Sequence, residues 1–236
     1  QPTWNLWEYA FEDQSLRRIS PSDLTAEIGH DIMPMYLPDG RIIFASTRQV
    51  RSRAILLDEG KSGFAAMDED RNEEALNLHV INADGSGIEQ VTFNQSHDMD
   101  PAVLSNGQIV FARWDHAPGN NDVNLYRMNP DGTGLELLYG SESHATGTDG
   151  EIIQFTQPRE VEDGRILSLV RPFTATEGGG DIFAIDTPQY VEDTQPLMDN
   201  IGVLTGPAQE PATALDVSTA AGEPSEGGRF SSVYPI

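Results

Sequence analysis

The chain has 236 residues, with 38 acidic against 14 basic side chains and a formal charge of −24 at pH 7. That balance excludes the basic face a nucleic-acid partner requires and disfavours an anionic membrane surface. With no cysteine, the chain holds no disulfide, thiolate nucleophile, thiolate-held zinc or iron–sulfur cluster, or thioether-linked haem of its own, and no apolar run nears the ~18–20 residues of a membrane span.

In chain order, residues 4–20 read first as a pair of short strands. His30-Asp31-Ile32-Met33-Pro34 then opens a strand that turns at Leu37-Pro38-Asp39-Gly40 into the apolar run Arg41-Ile42-Ile43-Phe44-Ala45-Ser46. Residues 51–74 are charged, interrupt the pattern and read as an inserted loop. Within them Asp68-Glu69-Asp70-Arg71-Asn72 opens like a calcium loop, but Glu73 stands where such a loop needs glycine and His79 where it needs a bidentate glutamate. An alternating strand, Leu76 onward, then turns at Asn82-Ala83-Asp84-Gly85-Ser86-Gly87 into the strand beginning at Ile88.

Both patterns recur. His97-Asp98-Met99-Asp100-Pro101 repeats the first without gaps, and Leu104-Ser105-Asn106-Gly107-Gln108-Ile109-Val110-Phe111 repeats its turn. Asn124-Leu125-Tyr126-Arg127-Met128-Asn129-Pro130-Asp131-Gly132-Thr133-Gly134 repeats the second, and Val161-Glu162-Asp163-Gly164-Arg165-Ile166 gives the turn of the first a third time. A further insertion covers residues 141–150. Asp-Gly and Asn-Gly between alternating runs are strong hairpin signals, and a two-residue turn of this kind needs positive φ at both residues.

Hairpin, loop and hairpin give four strands per unit of about 40–45 residues once insertions are set aside, the period of a β-propeller blade. The expected fold is therefore all-β, with four-stranded blades like those of TolB-like or WD-repeat propellers. Its blades fall at about residues 31–93, 98–139 and 152–197, behind a partial first blade at 4–20. The only sustained period is two, so no helix longer than about two turns is expected. Residues 199–228, rich in Ala, Thr, Gly, Pro and Glu, read as an irregular acidic excursion, and residues 229–236 as the first strand of a further blade. Three whole units and two partial ones fall short of a closed ring of ~4–8 blades. The propeller is thus expected to be incomplete within these residues, and to be completed by the remainder of a longer chain or by a protein partner.

The combination Asn-x-Asp-Gly-Ser/Thr-Gly, His-Asp-x-x-Pro and Leu-Pro-Asp-Gly-Arg-Ile-x-Phe, spread over roughly residues 31–186, resembles the repeats of TolB-type propellers. The longer forms Ser96-His97-Asp98, Phe111-Ala112-Arg113-Trp114-Asp115 and Gln157-Pro158-Arg159-Glu160 look more like the propeller module of exported proteins related to the hydrazine synthase alpha subunit. That resemblance implies a neighbouring haem-binding region; without cysteine, no haem is attached within this segment. It carries no catalytic residue onto this chain, which also lacks the G-x-S-x-G, H-E-x-x-H and G-x-x-x-x-G-K patterns.

Five residues form the candidate site. His30, Asp31, His97, Asp98 and His144 stand just before or at the inner strands of successive units. They either converge at one end of a channel around a divalent cation, calcium fitting the carboxylate excess better than zinc, or hydrogen-bond the backbone of the turns between blades. Trp114-Asp115-His116 reads as a turn packed on a blade edge or as part of a contact surface, while Arg113, Arg159 and Arg171 read as ion-paired with nearby acids. Three functions are compatible with this pattern. They are a non-catalytic interaction or scaffold module of an exported bacterial protein, the propeller portion of a haem-containing oxidoreductase, and a gating propeller on a hydrolase. The first residue is Gln, and Lys61 is the only lysine. Both fit a periplasmic or extracellular protein from which an upstream piece has been removed.

Overall fold

A computed structural model describes residues 3–20, 29–61, 67, 73–117, 119–172, 178–222 and 225–235. The acidic stretch 68–72 that opens like a calcium loop lies outside the described residues. The chain divides into two compact units, Gln1–Pro101 with Pro130–Thr133, and Ala102–Asn129 with Gly134–Ile236.

In the first unit β1 (Trp7–Ala10) and β2 (Ser15–Arg18) form an antiparallel hairpin. β3 (Asp31–Tyr36), β4 (Ile42–Ser46), β5 (Asn77–Ile81) and β6 (Glu89–Gln90) form a four-stranded antiparallel sheet in that order. Every residue of β4 and β5 is buried, so both faces of these central strands are covered; β4 reads as a continuous apolar run, while β5 keeps its alternating sequence with Asn77 and His79 buried as well. Leu6, Ile19, Ile42, Phe44 and Ile81 pack together as the core of this region.

β7 (Asp98–Val103) begins at the end of the first unit and opens a second sheet, completed by β8 (Ile109–Ala117), β9 (Asn120–Met128) and β10 (Glu136–Tyr139). The third sheet joins β11 (Ile153–Glu160), β12 (Ile166–Pro172) and β13 (Asp181–Ile185). Val110, Leu125, Tyr139, Phe155, Val170 and Ile185 belong to one buried cluster in the second unit.

Three expectations are corrected. The first concerns the turns. At Asp39-Gly40, Asn106-Gly107 and Asp163-Gly164 only the glycine takes positive φ, at 85°, 83° and 84°. In each copy the Asp or Asn Oδ1 accepts the amide two residues on, at 2.9–3.1 Å. Gly40 N–H donates to Leu37 O, and Leu37 N–H to Arg41 O. A type I turn followed by one left-handed glycine replaces the two-residue turn, and Pro38, with its fixed φ, suits the second position of that turn.

The second is α1 (Val50–Asp58), a helix of 9 residues inside the stretch read as a loop. It buries no residue, so it leaves no apolar stripe for a sequence to show. Its N-terminus is held from another element: Gln90 Oε1 accepts from Arg51 and Ser52 N–H at 3.1 and 3.2 Å.

Third, the outer strand of the third sheet lies beyond residue 197. β14 (Tyr190–Glu192) and β15 (Gln195–Pro196) form a separate hairpin, and β16 (Gln209–Pro211) pairs with β13. The excursion expected at 199–228 therefore contains a blade strand. It is also tied down, since Gln209 Nε2 donates to Tyr139 OH at 2.9 Å, and Thr219 and Thr148 exchange backbone-to-hydroxyl bonds at 2.7 and 3.0 Å. In 229–236, Phe230 bridges Gly180, just before β13, and Gln157 Oε1 accepts from Val233 N–H. β16 pairs where the edge of β13 is free, and its three residues carry no readable period.

Gly85 gives a clean test of the hairpin packing. A Cβ there would stand 2.6 Å from Ile19 O, whereas one at Gly40, at nearly the same φ, would meet nothing within 4 Å. Gly40→Ala is expected to cost about 1–2 kcal/mol through left-handed strain alone, and Gly85→Ala clearly more, as read by urea unfolding. Equal costs would show that the hairpin does not back onto Ile19.

Candidate functional site

The first strand of each sheet carries the same irregularity. Met33, Asp100 and Gln157 each precede a proline and each take a left-handed conformation, with φ of 55°, 53° and 50°. The pairing of β3 with β4 shifts between Ile32 and Met35, and that of β11 with β12 between Thr156 and Arg159. A proline has no N–H to give to a ladder, so a bulge beside it loses little pairing. Left-handed backbone at a non-glycine residue nevertheless costs about 1–2 kcal/mol. Strain repeated at one place in three strands marks that place as functionally interesting. In the first unit Asp100 N–H points at Met33 Sδ, 3.3 Å away. In the second, the Gln157 amide holds Val233 N–H at 3.1 Å and Ser231 O at 3.3 Å. The sequence shows this only as a recurrent x-Pro, and the strain itself was not legible.

At the entrance of these strands stand the residues picked from the sequence. His30 Nδ1 accepts Trp4 N–H at 3.2 Å, and the His30 backbone N–H donates to Thr47 Oγ1 at 2.9 Å. His97 repeats the first of these bonds: its Nδ1 accepts Leu76 N–H at 3.1 Å, while Nε2 lies 3.3 Å from Glu73. The following residues repeat as well, because Asp31 N–H donates to Trp4 O and Asp98 N–H to Leu76 O, at 3.0 and 2.9 Å. His144 departs from the pattern. Its ring nitrogens lie 2.5 Å from Ile153 O and 2.8 Å from Asn124 Oδ1.

The two aspartates diverge. Asp31 forms a fully buried bidentate pair with Arg48, Nε to Oδ1 and Nη2 to Oδ2 both at 2.8 Å, and Ser46 Oγ adds a third bond at 2.8 Å. Asp98 accepts Asn94 Nδ2 at 3.2 Å. Side chains expected to converge on a cation are thus each engaged with protein groups, and the His30 and His97 bonds run to backbone amides. Among the described residues no group of three or more His, Asp or Glu side chains is placed to hold a metal ion.

Sequence reasoning missed the arginine that answers Asp31, although Thr47-Arg48 follows β4 directly. It also missed His79, which lies buried behind it. Burial pushes the His79 imidazole down to about 4, so the ring is neutral, with Nδ1 bonded to Asn77 O at 2.9 Å and Nε2 accepting Val50 N–H at 3.4 Å. In the second unit Arg113 lies over the Phe111 and Tyr126 rings, and Trp114 stacks on His116 with ring centroids 4.8 Å apart. Asp115 accepts from Asn124 Nδ2 and Tyr126 OH at 2.8 and 2.9 Å.

Three four-stranded antiparallel sheets recur along the chain. The chain is similar to hydrazine synthase of Kuenenia stuttgartiensis with a TM-score of 0.60 and 20% identity, over 90% of this chain and 30% of that one. The fold is a β-propeller. TolB from Acinetobacter baumannii aligns at TM-score 0.38 and 16% identity, over 71% of this chain and 35% of that one. An oligogalacturonate lyase in complex with manganese aligns at 0.44 and 10%, over 77% and 44%. No protein-family model and no curated protein matches the chain.

Two outcomes test this site. Asp31→Asn leaves the Arg48 guanidinium buried without its counter-charge and is expected to cost about 3–5 kcal/mol, whereas Asp31→Asn with Arg48→Met should cost less than the single change. For His79 the folded value lies below the unfolded one near 6.5. The unfolded state therefore takes up the extra proton between those two values, and stability falls as pH drops through that window. Urea midpoints should report a loss of about 2 kcal/mol between pH 7 and pH 5 from this residue. His79→Gln should flatten that part of the profile.

Proposed function

We propose that this chain is a non-catalytic interaction and scaffold module of an exported bacterial protein, and that the free edge of β1 is where the rest of a longer polypeptide, or a partner, adds strands. One observation carries the reading. The β1–β2 hairpin is bonded as the β5–β6 hairpin is: Ile19 N–H donates to Leu6 O as Val91 N–H does to Leu78 O, both at 2.9 Å. Likewise Leu6 N–H donates to Ser20 Oγ at 2.7 Å as Leu78 N–H does to Thr92 Oγ1 at 2.8 Å. β5 has β4 along its other edge, while no strand lies there on β1 among the described residues.

By this correspondence β1 and β2 are the third and fourth strands of a blade, and the position of β4 is open. Side chains on the hairpin agree, since Trp7, Phe11 and Leu16 are 57%, 84% and 63% exposed. An open strand edge beside exposed aromatic groups is a template for strand addition. The chain spans 30% of the hydrazine synthase chain it matches, which supports a longer polypeptide as the source. The acidic, lysine-poor composition supports export, since a large net charge keeps a secreted protein soluble. No described helix is long and apolar enough to cross a membrane.

A second reading, a module of a haem-containing oxidoreductase, rests on the same solved structure. It is separated from the first by the full-length polypeptide, in which C-x-x-C-H motifs and a Soret band would favour it.

Hydrogen exchange tests strand addition. Those amides of Trp7–Ala10 that are not bonded to β2 should exchange freely in this chain and at least tenfold more slowly in the complete protein or complex. Trp7→Lys with Tyr9→Lys should abolish that protection while leaving β3–β6 protected. Unchanged exchange in the complete protein would sink the proposal.

A further inference from the structure

A cavity of about 390 Å³ in the first unit is lined by Trp4, His30, Ile32, Glu73, Glu74 and Leu76, among others. We propose that it binds a small organic cation of the amine or quaternary ammonium class.

The argument starts from Trp4. Its backbone is pinned at both ends, N–H to His30 Nδ1 at 3.2 Å and O to Asp31 N–H at 3.0 Å, yet the residue is 72% exposed. Leu76 makes the same two bonds one repeat later, to His97 and Asp98. The fold therefore asks only for a backbone and an apolar side chain at this position, and leucine suffices. A tryptophan held in place but left uncovered has surface to offer a ligand, and indole is the best of the aromatic rings for a cation placed over its face.

The other groups set the charge. Glu73 lies 3.3 Å from His97 Nε2 and Glu74 3.6 Å from Arg53 Nη2. Those neighbours orient the two carboxylates, whose side chains stay 69% and 45% exposed and so can still share oxygen lone pairs with a ligand. Ile32 and Leu76 provide apolar wall for methyl or methylene groups. An anion would meet two carboxylates, and a neutral apolar ligand would leave them unused. The volume falls within the range of about 300–1,000 Å³ usual for small-molecule sites, and the net charge of −24 raises the local concentration of any cation.

The probe is tetramethylammonium chloride, titrated into 15N-labelled protein at constant ionic strength with sodium chloride. The Trp4 indole N–H and the His30 and Leu76 amides should shift together and saturate. Neopentyl alcohol, the neutral probe of similar shape, should produce no saturating shift. Glu73→Gln with Glu74→Gln should weaken binding at least tenfold. Trp4→Leu, which places at this position the residue its repeat partner already uses, should keep the fold and abolish the shifts at His30 and Leu76. Trp4→Phe should retain weaker binding. Shifts that stay linear, that neopentyl alcohol reproduces, or that survive either the double glutamine change or Trp4→Leu would overturn the proposal.

Discussion

A histidine ring nitrogen accepting a backbone amide from the preceding hairpin is the contact on which the first unit is organised. Trp4 N–H to His30 and Leu76 N–H to His97 place an imidazole at the end of one hairpin and at the start of the next sheet. The aspartate that follows completes the tie by giving its own amide to the carbonyl of the same Trp or Leu. Two bonds in opposite directions fix both the distance and the direction of the chain, as a pair of ladder bonds would. Each strand that follows, β3 or β7, therefore starts from a set position. Polar groups in such a place are costly to bury unless bonded, and here the bonding partner is the neighbouring repeat itself.

From that anchor the chemistry of the two repeats separates. Asp31 turns inward to Arg48 and Ser46, and beside it His79 is kept neutral by burial. The guanidinium satisfies the carboxylate, and the pair closes the end of β4 where the chain leaves for α1. Two residues further along each first strand stands a left-handed residue before proline, and at Met33 the register with β4 shifts. The strain at Met33 and Asp100 is carried by a backbone already fixed on one side by the histidine tie and on the other by the proline ring.

The same anchor also explains why an exposed tryptophan can be ordered. A side chain on a free terminal segment would gain little by facing a cavity, because ordering it would offset the contact energy. Trp4 is already immobilised by bonds that belong to the repeat, so a ligand over its ring meets a surface set in advance. Fold and candidate site share one set of bonds, with the side chain free to vary above a constant backbone.

The all-β character, the four-stranded repeat, the Asp-Gly and Asn-Gly hairpins and the correspondence of His30 with His97 were legible in the amino-acid order, because each is local. A period of two, a turn residue and a repeated dipeptide act over a few neighbours. Tertiary structure alone decided what depends on distant partners. Gln90 caps α1 from another strand, so a helix with no apolar face forms where no periodicity marks it. β16 reaches β13 across an irregular segment, and three residues hold no pattern. Above all, equivalent positions in a repeat said that His30, Asp31, His97 and Asp98 share a place, but not what each would face there. Arg48, Glu73 and the backbone amides of Trp4 and Leu76 are the partners they meet. Side-chain partnership is set by the packing of elements far apart in the chain, and a sequence repeat constrains the backbone more tightly than it constrains what the side chains meet.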